Sequence, residues 1–542
     1  MKPKLLGMIK RKELTKKSIS KDIISGIIVA IIALPLSVAL AISSGVSPEK
    51  GLITAIIAGF FISLLGGSRV QIGGPTGAFV VIVYGIIQKH GLDGLITATI
   101  MAGVIMVIFG IFKFGSVIKY VPYPITVGFT AGIAITLLST QVKDFLGLQI
   151  ENVPSEFIPK WEAYFSHMGT FNMTTFIIGL LAIIIMVFWP KINKTIPGSL
   201  IALVVTTVLV QVLNLNVATI GSSFENISST IPMPHLPGFD LNQIKDLMGP
   251  AITIAILASI ESLLSAVVAD GMIGGKHDSN MELIGQGVGN IFSGLFGGIP
   301  ATGAIARTAA NIRNGGRSPI AGIVHSITLL LIMLLFMPLA KLIPMTTLAA
   351  ILIIVSYNMG EWKTFASLLK APKSDMAVLL ITFSLTIIFD LVVAIEVGMI
   401  LAAFLFMKRV ADTTTIHCVK MGKSSTDEEE VLKEKDFNEK VLVYEINGPF
   451  FFGVVQKFLE VMKEISSDYD VLVLDLVNAN AMDSTAIDAI ERVYQMCKKN
   501  GVKLKLINVQ KQPRKVLRNM GFMELAGEEA VVYYREDQKI TI

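Results

Sequence analysis

The chain has 542 residues, 53% of them hydrophobic and 16% charged, with a formal charge of only +5. That balance suits a lipid-embedded helical bundle far better than a water-soluble globule, and it leaves no basic surface for nucleic acid.

A basic stretch from Lys2 to Lys21 leads into the first apolar run, Ile23 to Ile42. The run is too long for a signal-peptide core, holds Pro35 and is followed at once by another, so it reads as an uncleaved first helix. Further apolar stretches begin near Gly51, Val70, Leu92, Pro122, Thr174, Pro197, Met248, Leu283, Pro300, Pro319, Thr346, Met376 and Val392. The total is about fourteen, several of them short of the roughly 20 residues that cross a bilayer. Alternate loops are rich in cations (Arg69; Lys113 with Lys119; Lys191 with Lys194; Lys276; Arg313 with Arg317; Lys363, Lys370 and Lys373; Lys408 with Arg409), and those between them are poorer. The positive-inside rule then places both ends of the chain in the cytoplasm, for a multi-pass protein of the cell (inner) membrane.

Two interruptions inside this apolar sequence are nearly identical: Gly73-Gly74-Pro75-Thr76-Gly77-Ala78, and Gly297-Gly298-Ile299-Pro300-Ala301-Thr302-Gly303-Ala304. Broken backbone at membrane depth is tolerated where protein buries it or where it lines a cavity, and a matched pair in two halves points to a transporter's binding site. Proline suits the first turn of a helix, so Pro75 and Pro300 are each expected to open a half-helix. The amides and hydroxyls of Thr76, Gly77, Ala78, Ala301, Thr302 and Gly303 would then hold a small anion between two positive helix ends. Glycines and prolines also serve plain packing in membrane helices, but the repetition of the whole pattern favours a site.

Glu261 stands mid-span with Ser265 one turn on. An intramembrane carboxylate marks a functional site, here a carrier for a coupling proton or sodium ion. The plainer alternative is an ion pair with Arg307. Asp390 and Glu396 fall near a span end. The six histidines and the two cysteines, Cys418 and Cys497, have neither metal-ligand spacing nor a disulfide framework, and no cofactor is expected.

The texture changes after Arg409: residues 413–542 hold 21 of the chain's 41 acidic residues. Residues 1–412 are expected to form the membrane domain, 413–436 a solvated linker and 437–542 a small soluble domain. In the last, Val441 to Ile446, Val471 to Leu476 and Val502 to Asn508 read as strands, and Ser484 to Lys498 and Pro513 to Met520 as helices, giving an α/β layer.

Pro35, the Gly73 to Phe79 element, Glu282-Leu283-Ile284-Gly285-Gln286-Gly287 and the Gly297 to Thr308 run resemble the SulP inorganic anion transporters, the sulfate permease family. Asp483-Ser484-Thr485, after a strand and opening a helix, is similar to a STAS domain. The resemblance implies a polytopic α-helical protein of two inverted seven-helix repeats, with a core moving against a gate, usually as a homodimer. It implies an anion held between the third and tenth helices, onto which the six residues above map. It also implies a role for Glu261 and Ser265 in cation coupling, by proton or sodium. Ser484 matches a position phosphorylated in anti-sigma antagonists, the alternative being a helix N-cap, and a cytoplasmic partner of this domain is a further possibility. The function expected is secondary active transport, of sulfate first and of bicarbonate or a C4-dicarboxylate as alternatives. The rivals are a nucleobase permease, an anion channel and a membrane-tethered signalling protein; no enzyme motif competes.

Overall fold

The computed structural model describes residues 2–116, 121–193, 196–224, 227–236, 238, 241–389, 391–420, 441–463 and 469–533. The chain divides into two compact units, Met1–Met399 and Ile400–Ile542. Asp390, Lys119 and Lys194 lie outside the described residues.

The first unit is helical. In chain order come α1 (Lys4–Lys10), α2 (Lys16–Ser43), α3 (Pro48–Leu65), the two-residue strand β1 (Gly73–Gly74), a 3-10 turn at Gly77–Phe79 and α4 (Val80–Ile111). Then follow α5 (Tyr123–Thr140), α6 (Val142–Leu146), α7 (Phe157–Ser166), α8 (Met173–Ile192), α9 (Gly198–Val212), α10 (Ile220–Ser223), α11 (Leu241–Ile273) and α12 (Ser279–Leu295). After the second interruption, which contains β2 (Thr302–Gly303), come α13 (Ile305–Arg313), α14 (Ile320–Ala340), α15 (Met345–Met359), α16 (Trp362–Leu368), α17 (Lys373–Ile388) and α18 (Leu391–Thr413), the last continuing into the second unit.

Among the described residues seven helical segments are long and apolar enough to cross a membrane. The shortfall from fourteen has identifiable causes. The stretches expected near Val70 and Leu92 correspond to the two arms of α4, separate helices that meet end to end at the non-helical Gly91, where φ is 67° and ψ is -171°, and so count here as one segment. α12, α13, α15 and α17 have 17, 9, 15 and 16 residues, short of a full span. Short and broken helices survive at membrane depth only inside a protein environment, and this interior is closely packed. α4 and α12 touch backbone to backbone: a Cβ on Gly103 would come within 2.6 Å of the Gly287 carbonyl, and one on Gly287 within 2.5 Å of the Gly103 carbonyl. Small residues at such a crossing let dispersion contacts replace the hydrophobic drive that lipid cannot supply.

The second unit contains a five-stranded sheet in the order β3-β4-β5-β6-β7, built from β3 (Thr415–Lys420), β4 (Val441–Asn447), β5 (Val471–Asp475), β6 (Lys503–Val509) and β7 (Val531–Tyr533). β3 is antiparallel to β4 and the remaining pairs are parallel. Helices α19 (Phe452–Met462), α20 (Ser484–Lys499), α21 (Lys511–Asn519) and α22 (Phe522–Ala526) complete it. Strand alternation sends Leu442, Tyr444, Ile446, Leu472 and Leu474 into the main core, with Phe458, Ile487 and Ile490 of the helices, and Val441, Val443, Val471 and Val473 into a second cluster. The stretch 413–436, expected as linker throughout, holds strand β3 at its start. Its hydrophobic content was too low to read as a strand, but pairing along β4 overrides that.

Candidate anion site

The two interruptions lie side by side. Gly73 pairs with Gly303 and Gly74 with Thr302 in a two-residue antiparallel ladder, extended by a hydrogen bond from the Ala304 amide to the Ile72 carbonyl at 2.9 Å. Glycine is required at two of these positions for different reasons. The Gln71 side chain fills the place a Cβ of Gly303 would take, while Gly74 combines a φ of 158° with the Arg307 guanidinium packed on its open face.

This pairing corrects the expected half-helix starts. Pro75 and Pro300 do not open helices: the 3-10 turn begins at Gly77 and α13 at Ile305, because Gly73–Gly74 just before one proline and Thr302–Gly303 shortly after the other are drawn into the extended ladder. Helical bonding then starts with Phe79 N–H to Thr76 O (3.3 Å) and Thr308 N–H to Ala304 O (2.9 Å). The amides of Gly77 and Ala78 in one copy, and of Ile305 and Ala306 in the other, are therefore the first-turn donors.

The second triplet is committed elsewhere. The Ala301 amide donates to Asn290 Oδ1 (2.8 Å), and Asn290 Nδ2 donates back to the Ala301 carbonyl (2.8 Å). The Gly303 amide donates to Ser262 Oγ (3.1 Å), and the Thr302 hydroxyl bonds the Ala258 carbonyl (3.0 Å) and Ser262 Oγ (2.7 Å). Ala301 and Thr302 are completely buried. Access is found instead at Thr76 and Glu261, both partly exposed, and at Ile305 and Ala306, both exposed.

Glu261 lies on α11 opposite the first break, and the Thr76 hydroxyl donates to its Oε2 at 3.0 Å. The alternative pairing with Arg307 is not made. Arg307 is 1% exposed, and its Nη2 donates to the Pro75 carbonyl (3.1 Å) and Ser37 Oγ (3.3 Å), so this cation braces the first break from α13. Nor does Ser265 join Glu261: its hydroxyl reaches Thr308 Oγ1 at 3.5 Å, and that oxygen accepts the Ile72 amide at 3.1 Å. Helical spacing placed Ser265 one turn from Glu261, but the side chain turns toward α13.

Gln71, Ser262, Asn290 and Thr308 carry the framework and were not singled out from the sequence. Asn290, a polar residue ending the run Gly285-Gln286-Gly287-Val288-Gly289-Asn290, was the readable signal. Glu282, three residues into α12, accepts the Gly67 and Ser68 amides (2.8 and 2.9 Å) and Gln286 Nε2 (2.8 Å), tying the entry to the first break onto α12. In the second unit Ser484 is exposed at the first position of α20, and the N-cap is Asp483, whose carboxylate accepts the amides of Ala486 (2.9 Å) and Phe452 (3.0 Å).

The sulfate permease family pattern matches residues 19–382, and the STAS domain pattern residues 433–533. A putative sulfate transporter, YvdB of Bacillus subtilis, is 40% identical over 511 residues, covering 94% of this chain and 95% of that one. The bicarbonate transporter BicA of Picosynechococcus sp. is 30% identical over 544 residues, covering 96% and 94%. Among solved structures, the transmembrane domain of a cyanobacterial BicA is 30% identical, with a TM-score of 0.63 over 72% of this chain and 98% of that one. The murine Solute Carrier 26 member A9 anion transporter shares the fold at 19% identity, with a TM-score of 0.86 over 98% and 92%. With matching models over both parts and relatives aligned along nearly its whole length, this chain belongs to the sulfate permease family, as a multi-pass membrane anion transporter carrying a C-terminal STAS domain.

Proposed function

We propose that the protein is a secondary active transporter that moves sulfate by alternating access, with the anion at the paired breaks and a proton or sodium ion coupled through Glu261. One observation carries this reading: the Gly73–Gly74 and Thr302–Gly303 ladder brings the starts of α4 and α13 together beside the accessible Thr76–Glu261 pair. Each helix start offers about half a positive charge and free N–H groups, which suits an anion and needs no metal or covalent chemistry. In this reading the accessible Thr76 contacts the anion directly from the first half, and Gly77 and Ala78, both buried, contribute its first-turn amides. Ala301, Thr302 and Gly303 fix the second half through Asn290 and Ser262, and Ser265 acts through Thr308. Sulfate follows from the more similar of the two relatives above; the 30% identity with a bicarbonate transporter along the whole chain supports bicarbonate as the second candidate.

An inverted repeat of two halves, a homodimer, a location in the cell membrane with both chain ends cytoplasmic, and regulation through Ser484 complete the proposal. Uptake of labelled sulfate, bicarbonate and C4-dicarboxylates into proteoliposomes, with proton and sodium gradients imposed separately, tests it. Sulfate should accumulate against its gradient under one of the two cation gradients. Downhill flux alone, indifferent to both, would leave an anion channel. Removing residues 413–542 should preserve measurable uptake; complete loss with the truncated protein still folded would favour a STAS-dependent signalling role.

A further inference from the structure

α7 crosses the connection between α6 and α8 and carries Lys160, which is only 3% exposed. Among the described residues no hydrogen bond or ion pair ends on its ammonium, although Asp144, Glu151 and Glu156 line the same spaces. Burial holds the ammonium down to about 8, with no carboxylate offsetting the loss of water. A long cationic side chain normally reaches out to solvent, and burying its charge without a partner is costly. Lys160 instead lines two cavities at once, one of about 630 Å³ and one of about 750 Å³.

The larger cavity touches helices of the central site. It is also lined by Val81 and Ile82 in the first turn of α4, and by Thr253 on α11. Val81 follows Thr76 by five residues, and Thr253 precedes Glu261 by eight, roughly 12 Å along the helix. The cavity thus joins the Lys160 side chain to α4 and α11, the helices next to Thr76 and bearing Glu261, without being lined by either residue.

We propose that Lys160 is the anchor of a second anion site, an antechamber that captures a small inorganic oxoanion on the side of the membrane where α7 lies, before it passes to the paired breaks. The anion supplies the counter-charge that the protein withholds. The site extends the transport reading but can be tested apart from it.

Trp161, adjacent in sequence and packed edge-on against Tyr164 with ring centroids 5.8 Å apart, is a built-in reporter. In the full-length protein with Trp189→Phe and Trp362→Phe, sodium sulfate and sodium bicarbonate are titrated at constant ionic strength while Trp161 emission is followed. At least one anion should give a saturable change. Lys160→Gln should raise its midpoint about tenfold, as expected for loss of a charge-assisted contact, and Lys160→Arg should largely restore it. Glu261→Gln should leave the midpoint in place, separating this site from the central one. In the unmutated protein, the same anion should protect Lys160 from acetylation at pH 8, read by peptide mass spectrometry, a test independent of how any variant folds. No saturable change with either anion, a midpoint indifferent to Lys160→Gln, or no protection overturns the proposal. Failed uptake of both anions with the Trp161 titration intact would overturn the substrate reading and leave this site standing.

Discussion

Glu261 is partly exposed and Lys160 is only 3% exposed, two charges held largely out of solvent. Glu261 accepts one hydrogen bond, from Thr76, and a glutamine can accept the same bond through its carbonyl. Glu261→Gln should therefore keep anion binding within about threefold while abolishing cation-driven accumulation, since geometry survives and charge does not. Comparing equilibrium sulfate binding with gradient-driven uptake checks this, and undiminished accumulation would remove Glu261 from coupling. Lys160 makes the converse case. Its ammonium is held at about 8 in the folded chain against 10.5 when unperturbed. Between those values the unfolded chain binds a proton that the folded chain does not, so stability rises with pH across that window. At pH 7 the charge costs the fold on the order of 1–3 kcal/mol, so Lys160→Met should raise the melting temperature there. The gain should shrink as pH approaches 10; a variant melting below the parent at pH 7 would show that the ammonium already has a stabilising partner.

Elements are placed by contacts that only small residues permit. The α4–α12 crossing depends on Gly103 and Gly287 facing each other's carbonyls, and α12 in turn positions Asn290 against Ala301. Gly287→Leu should force the helices apart, lowering stability by about 1–3 kcal/mol or more and weakening anion binding without touching the anion. Thermal melting and sulfate binding read the two effects, and a loss of neither would mean the crossing can repack. In the second unit Asp483 caps α20 and also accepts the Phe452 amide at the start of α19. Asp483→Ala should cost about 1 kcal/mol or somewhat more, seen as faster amide exchange in the first turns of both helices. Exchange altered in α20 alone would show that the second contact contributes nothing.

Across the whole molecule, the apolar stretches, the change of texture near Arg409 and the matched breaks were legible in the sequence, but not which stretches form full-length helices, because hydropathy and glycine-proline punctuation report local demands of lipid and backbone only. The α/β order of the C-terminal domain was legible for the same reason: β4, β5, α20, β6 and α21 fall close to where alternation and periodicity place them. β3 and β7 were not, since both are edge strands, defined by the neighbour they pair with rather than by their own pattern.

Sequence by itself determined that this chain is a membrane transporter with paired interruptions and a soluble α/β appendage, because those features are written in runs of neighbouring residues. It could not decide which polar groups meet. That Arg307 braces Pro75 and not Glu261, that Ala301 and Gly303 give their amides to Asn290 and Ser262, and that Lys160 is buried between two cavities are outcomes of packing between separate elements, the bonded pairs lying 232, 11 and 41 residues apart. A buried donor takes whichever acceptor the folded arrangement brings within reach, and spacing along one helix carries no record of what stands on the next.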